Sequence, residues 1–132
     1  MGQEFETRKE NRFLCKIEGL PDYCIKAVRG IQPYLKGVTQ YTFEIDLFDP
    51  VEIDVLEMSL KLANTDSKYD TVITELSATG RKLNEIRYVD CAIDEIIRSD
   101  LDWKNDEVSN ITIRFTAKEF LYKSLLGQIS ND

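Results

Sequence analysis

The stretch Ala92-Ile-Asp-Glu-Ile-Ile-Arg-Ser-Asp-Leu-Asp-Trp103-Lys-Asn-Asp-Glu-Val-Ser-Asn-Ile-Thr-Ile-Arg-Phe115 reads as a strand, a polar corner holding the single tryptophan of the chain, and a second strand. Its second half alternates as a half-buried strand must, with Ile111, Ile113 and Phe115 on one face and Thr112, Arg114 and Thr116 on the other. Leu101 stands two residues before Trp103, so the corner is expected to fold down and pack an aromatic onto the sheet. The rest of the chain is expected to pair with this unit.

Immediately upstream, Leu83 to Ile97 is rich in residues that favour strands, and its length calls for a bend or bulge near Asp90 to Ala92. The turn Ala78-Thr-Gly-Arg81 joins it to another strand, Tyr69 to Ser77. Thr39 to Phe48 alternates again, with Tyr41, Phe43, Ile45 and Leu47 inward and Thr42, Glu44 and Asp46 outward. Asp49-Pro-Val-Glu52 has the chemistry of a helix start, a capping carboxylate followed by proline at the first helical position, and predicts a helix over about 50–63.

Nearer the start, Arg12 to Glu18 and Tyr23 to Val28 are strand-like runs around the turn Gly19-Leu-Pro21-Asp22, which predicts that the two pair as a hairpin. Pro33 makes the segment Ile31 to Lys36 a loop or an edge. Residues 1–10 read as a flexible N-terminal arm and 118–132 as a C-terminal arm flanking a domain over 11–117. The fold class that follows is mainly β (α+β): two packed antiparallel sheets, or one partly rolled barrel, with a single helix.

Composition narrows the function. At 132 residues the chain suits one domain, and its formal net charge of −7 opposes a grip on nucleic acid or on an anionic membrane. Histidine is absent, so triads and imidazole metal sites are excluded. The carboxylate pairs Asp90 with Asp94, Asp94 with Glu95, and Asp100 with Asp102 fit a solvated face better than an acid–base or metal site in so acidic a chain. Cys15, Cys24 and Cys91 match no zinc or redox spacing and read as reduced, half-buried thiols. Neither a signal segment nor a membrane span is recognisable. The expectation is a non-enzyme without cofactor or metal.

The run Asp90 to Phe115, with its Leu101-Asp102-Trp103 corner and Asp106-Glu107, resembles the C-terminal signature of tail tube proteins from contractile, T-even-type bacteriophages. Asn11 to Cys24 is similar to the same family's opening strand and turn, and the helix after Asp49 falls where that family carries its helix. The chain departs from the larger members in its compact middle and in the residues after Phe115.

What the resemblance implies is a structural virion protein. Six subunits would close into a ring through their sheets, and rings would stack into the inner tube of a tail, in contact with the tail sheath, baseplate and tail terminator proteins. Genomic DNA would pass through without specific binding. Carboxylates such as Glu44, Asp46, Asp90 and Asp94 are candidates for the lumen, where they would repel phosphate. Ile31, Tyr34, Leu35, Trp103, Phe120 and Tyr122 are candidates for contacts between subunits or rings. Such a protein would be assembled in the cytoplasm of a bacterial host and end in the virion tail. A tube initiator, a terminator or baseplate ring, a secretion-system tube subunit and a small acidic adaptor domain are the alternatives.

Overall fold

A computed structural model describes residues 6–129, so part of each expected arm, residues 1–5 and 130–132, lies outside the described residues. In chain order the elements are β1 (Phe13–Ile17), a 3-10 turn (Asp22–Cys24), β2 (Ile25–Arg29), β3 (Tyr41–Phe48), α1 (Val55–Ala63), β4 (Tyr69–Leu76), β5 (Lys82–Arg98), β6 (Asn110–Ala117), β7 (Glu119–Ser124) and a last helical turn, α2 (Leu126–Ile129).

The long strand β5 and its hairpin partner form the spine. β6 and β7 run as one antiparallel partner along its whole length: Ala92 faces Thr116, Val89 faces Glu119, and the Lys118 N–H between them donates to the Val89 carbonyl at 2.9 Å. β4 takes the opposite side of the first half of β5, with β1 beyond it. β3 takes the free side of β6, with β2 beyond it. The result is two antiparallel sheets that share β5: β1–β4–β5–β7, and β5–β6–β3–β2.

The changeover falls where the sequence called for a bend. Tyr69 pairs with Cys91 and Thr71 with Tyr88, so Asp70 faces two residues of β5, Val89 and Asp90. Asp90 takes up the extra length in a left-handed conformation (φ 54°), a region in which Asp and Asn are the tolerated side chains after glycine. The Asp70 carboxylate holds the bulge, accepting the Asp90 N–H at 3.2 Å and Arg87 Nη1 at 3.1 Å.

Between the sheets lies a core in which the inward residues of the alternating strands meet: Phe43, Ile45 and Leu47 from β3, Ile111, Ile113 and Phe115 from β6, and Ile86 and Tyr88 from β5. The rings of Tyr88, Phe43 and Phe115 stack with centroids 4.0 and 4.9 Å apart, and Phe120 meets Tyr88 edge-on at 5.2 Å. This aromatic column ties the first sheet to the second.

Three expectations are corrected. β1 and β2 do not pair as a hairpin: Gly19 (φ +96°) and the 3-10 turn carry the chain from one sheet to the other, where β4 and β3 offer longer partners. The helix begins at Val55 and not near Pro50, because two carboxylates compete for the cap. Asp54 wins, accepting the Glu57 N–H at 2.9 Å, while Asp49 is engaged by Arg98 at 3.2 Å and Ser109 at 2.8 Å. The segment from Lys118, expected to leave the domain as an arm, instead supplies β7, whose Phe120 packs on the core beside Tyr88. Within the expected N-terminal arm, Glu6 is tied to the β4–β5 turn, accepting the Ala78 N–H at 2.7 Å and pairing with Arg12 at 3.2 Å.

Candidate assembly surface

The outward residues of the second sheet form a polar face, because β3 and β6 alternate in step. Inward Tyr41, Phe43, Ile45 and Leu47 lie opposite Ala117, Phe115, Ile113 and Ile111, which leaves Thr42, Glu44 and Asp46 outside with Thr116, Arg114 and Thr112. Register then lines up charges of alternating sign across all four strands. Arg29 of β2 lies opposite Glu44 of β3, Glu44 opposite Arg114 of β6, and Arg114 opposite Glu95 of β5. Each neighbouring pair is in contact: Arg29 to Glu44 at 3.0 Å, Arg114 to Glu44 at 2.5 Å and Arg114 to Glu95 at 2.7 Å. Arg29 also holds Asp46 with two hydrogen bonds of 2.8 Å, and the Thr112 hydroxyl donates to the same carboxylate at 2.8 Å.

These contacts set the local electrostatics. Burial by itself pushes the Asp46 carboxyl up, but hydrogen bonds from Arg29 and Thr112, with the charges of Arg29 and Lys26, outweigh it and hold the group below the usual carboxylate range. Arg29 is raised, chiefly by its hydrogen bond to Asp46, and Arg114 by its hydrogen bond to Glu44. A carboxylate depressed in the folded state stabilises the fold above its unfolded pKa, and that contribution is lost as pH falls through the folded value. Asp46→Asn is therefore expected to show a shallower loss of stability than the parent chain as pH falls below the usual carboxylate range in urea unfolding series; parallel curves would exclude this role.

Of the four candidate lumen carboxylates, Glu44, Asp46 and Asp94 share this face, Asp94 accepting a hydrogen bond from the Thr116 hydroxyl. Asp90 sits apart, in the bulge at the changeover between sheets beside Asp70. The reading missed Arg29 and Glu95 as members of the row. Arg114 was visible as an outward residue, but only strand register sets these side chains against Glu44. With Lys26, Arg29 and Arg114 facing Glu44, Asp46, Asp94 and Glu95, three cations against four carboxylates leave the face one net negative charge.

The candidate contact residues divide differently. Tyr34 is 80 % exposed, and Ile31 and Leu35 are also open, on the loop between β2 and β3. Trp103 is fully exposed and Leu101 nearly so, against the expectation that the corner packs onto the sheet. The corner stands away because it is closed by its own hydrogen bonds: Asn105 N–H to the Asp102 carbonyl at 3.1 Å, Lys104 N–H to Asp102 Oδ1 at 3.0 Å and Glu107 N–H to Asn105 Oδ1 at 2.9 Å. That turn places Trp103 at its tip. Phe120 is half-buried against Tyr88 and Tyr41 and so belongs to the core, while Tyr122 is exposed and accepts a hydrogen bond from Asn84 at 3.2 Å.

Chemistry of other kinds finds little purchase. The three cysteines are buried and unpaired, and burial pushes the Cys15 thiol up to about 12, with Cys91 adding to the shift. Among the described residues no group of three or more His, Cys, Asp or Glu is placed to hold a metal ion, and no helix is long and apolar enough to cross a membrane.

No protein-family model and no curated protein sequence matches the chain. Solved structures do match in fold. A chain of the anti-feeding prophage tube-terminating cap superposes with a TM-score of 0.72 at 10% identity, over 94% of this chain and 95% of that one. A chain of the PVC sheath–tube complex of an extracellular contractile injection system gives 0.69 at 12% identity, over 89% and 92%. Hcp1 from Salmonella typhimurium gives 0.55 at 11% identity, over 88% and 87%. The fold of the chain is tail-tube-like, the fold shared by these chains of an injection-system tube, a tube-terminating cap and Hcp1.

Proposed function

We propose that this chain is a ring subunit of the inner tube of a contractile phage tail, that six copies close a ring through the edges of the second sheet, and that stacked rings conduct DNA. The observation that carries the reading is the pair of open edges. Among the described residues β2 pairs only with β3, and residues 92–98 of β5 pair only with β6. Three antiparallel steps separate these edges, so they run in opposite directions, and β2 of one copy beside β5 of the next continues the antiparallel alternation. A closed ring removes both exposed edges. Sixfold symmetry is borrowed from the anti-feeding prophage baseplate, described as 6-fold symmetrised.

In such a ring the face bearing Glu44, Asp46 and Asp94 would line the lumen. Two of its three cations, Arg29 and Arg114, are already engaged with carboxylates, which suits a channel that must not hold a phosphate backbone. The loop carrying Ile31, Tyr34 and Leu35 and the corner carrying Trp103 lie at opposite ends of β3, where a ring above and a ring below would be met. Tail sheath, baseplate and terminator proteins would be the other partners, and the site of action the virion tail. A second reading, a cap or baseplate ring or a tube that delivers protein, is favoured by the structural neighbours drawn from extracellular injection systems and Hcp proteins.

Electron microscopy of the concentrated protein tests both. Hollow rings or stacked tubes are expected, with duplex DNA density in the lumen of tubes from intact particles. A species that stays small at every concentration would overturn the tube reading, and lumen density of protein would favour the second.

A further inference from the structure

The two open edges of the second sheet carry opposite charge on the same face. β2 ends the alternating row with Arg29 and β5 ends it with Glu95. Each edge also has an irregularity in its pairing, between Ile25 and Ala27 on β2 and between Ile93 and Glu95 on β5, and the intervening residues are Lys26 and Asp94. Among the described residues neither of these two has an ion-pair partner. The ends of the row keep unused capacity as well. Arg29 donates Nε and Nη2 hydrogen bonds to Asp46 and sets Nη1 3.0 Å from Glu44 as an ion pair, which leaves the second N–H of Nη2 outside these contacts, while Glu95 uses Oε1 for Arg114. Both side chains are about half exposed, at 52% and 48%.

We infer, resting on the ring reading above, that the partner of each edge is a second copy of this chain, with Arg29 of one copy set against Glu95 of the next. The row then continues in alternating sign around the whole ring. The same polarity decides against other assemblies: β2 against β2 opposes cations, and β5 against β5 opposes carboxylates. Closed symmetric dimers are therefore disfavoured, and only the head-to-tail contact that generates a ring satisfies both edges. The charged irregularities keep the free monomer from pairing its edges with unrelated strands.

Charge exchange tests this. Arg29→Glu and Glu95→Arg are each expected to lower the ring population at least about tenfold against the parent chain, because each seam then opposes like charges. An equimolar mixture should recover assembly to within about twofold, since every seam in an alternating ring again joins opposite charges. Sedimentation velocity reads the assembly, and circular dichroism melts establish that each variant is folded. If folded single variants assemble like the parent, or their mixture fails while the parent assembles, the inference is overturned. A second measurement needs no variant: ring formation by the parent chain should weaken as salt shortens the screening length from about 10 Å to about 3 Å. Assembly that is indifferent to salt or strengthened by it would overturn the charge-directed seam and leave the ring standing. A parent chain that never forms rings would instead remove the ring reading itself.

Discussion

Phe43→Ala is expected to destabilise the fold by about 3–5 kcal/mol, the range for removing a buried aromatic. Phe43 is 2% exposed and sits between two rings, Tyr88 of the first sheet and Phe115 of the second. Its loss would leave a void that neither neighbour can fill, since each is held by its own strand, and the contact between the sheets would be cut at its centre. For a chain of this size that corresponds to a fall in melting temperature of about 10–20 °C. Urea unfolding should give a lower midpoint with an unchanged slope. A loss below about 1 kcal/mol would mean that the aromatic column does not hold the sheets together.

The second large effect lies at the changeover. Asp90→Val is expected to cost about 2 kcal/mol, because a β-branched side chain at φ 54° meets the steric penalty that Asp largely escapes. Asp90→Gly should stay within about 0.5 kcal/mol of the parent, since glycine adopts that conformation freely and the Asp70 carboxylate still receives the backbone N–H. The contrast separates backbone geometry from side-chain chemistry: equal losses in both variants would show that the Asp90 carboxylate matters more than its conformation. The bulge is also what lets one strand serve two sheets. A strained Asp90→Val chain should therefore assemble poorly even where it remains folded.

Trp103 has a different significance. A fully exposed tryptophan in a corner that also exposes Leu101 and Val108 is an unusual surface for a solitary subunit. Within the proposed tube the same corner would be a contact at one end of the subunit. Its closure comes from local hydrogen bonds and not from packing on the sheet.

Much of the architecture was legible in the chain because alternation is local. Period-two patterns in β3 and β6 named their own inward faces, and the length of β5 called for the bulge that Asp90 supplies. The Leu101-Asp102-Trp103 corner and the order of elements pointed to the tail-tube fold that the solved structures share. β7 escaped notice because exposed Leu121 between Phe120 and Tyr122 blurs the alternation over a run of six residues. Tertiary structure alone decided three matters. Which of two carboxylates caps α1 depended on whether Arg98 and Ser109 came near Asp49. Whether Trp103 packed depended on how the corner closed on itself. The row from Arg29 to Glu95 joins residues as far apart as 29 and 114, and only strand register brings them within hydrogen-bonding distance, since periodicity says which face a side chain takes but not which partner it meets there.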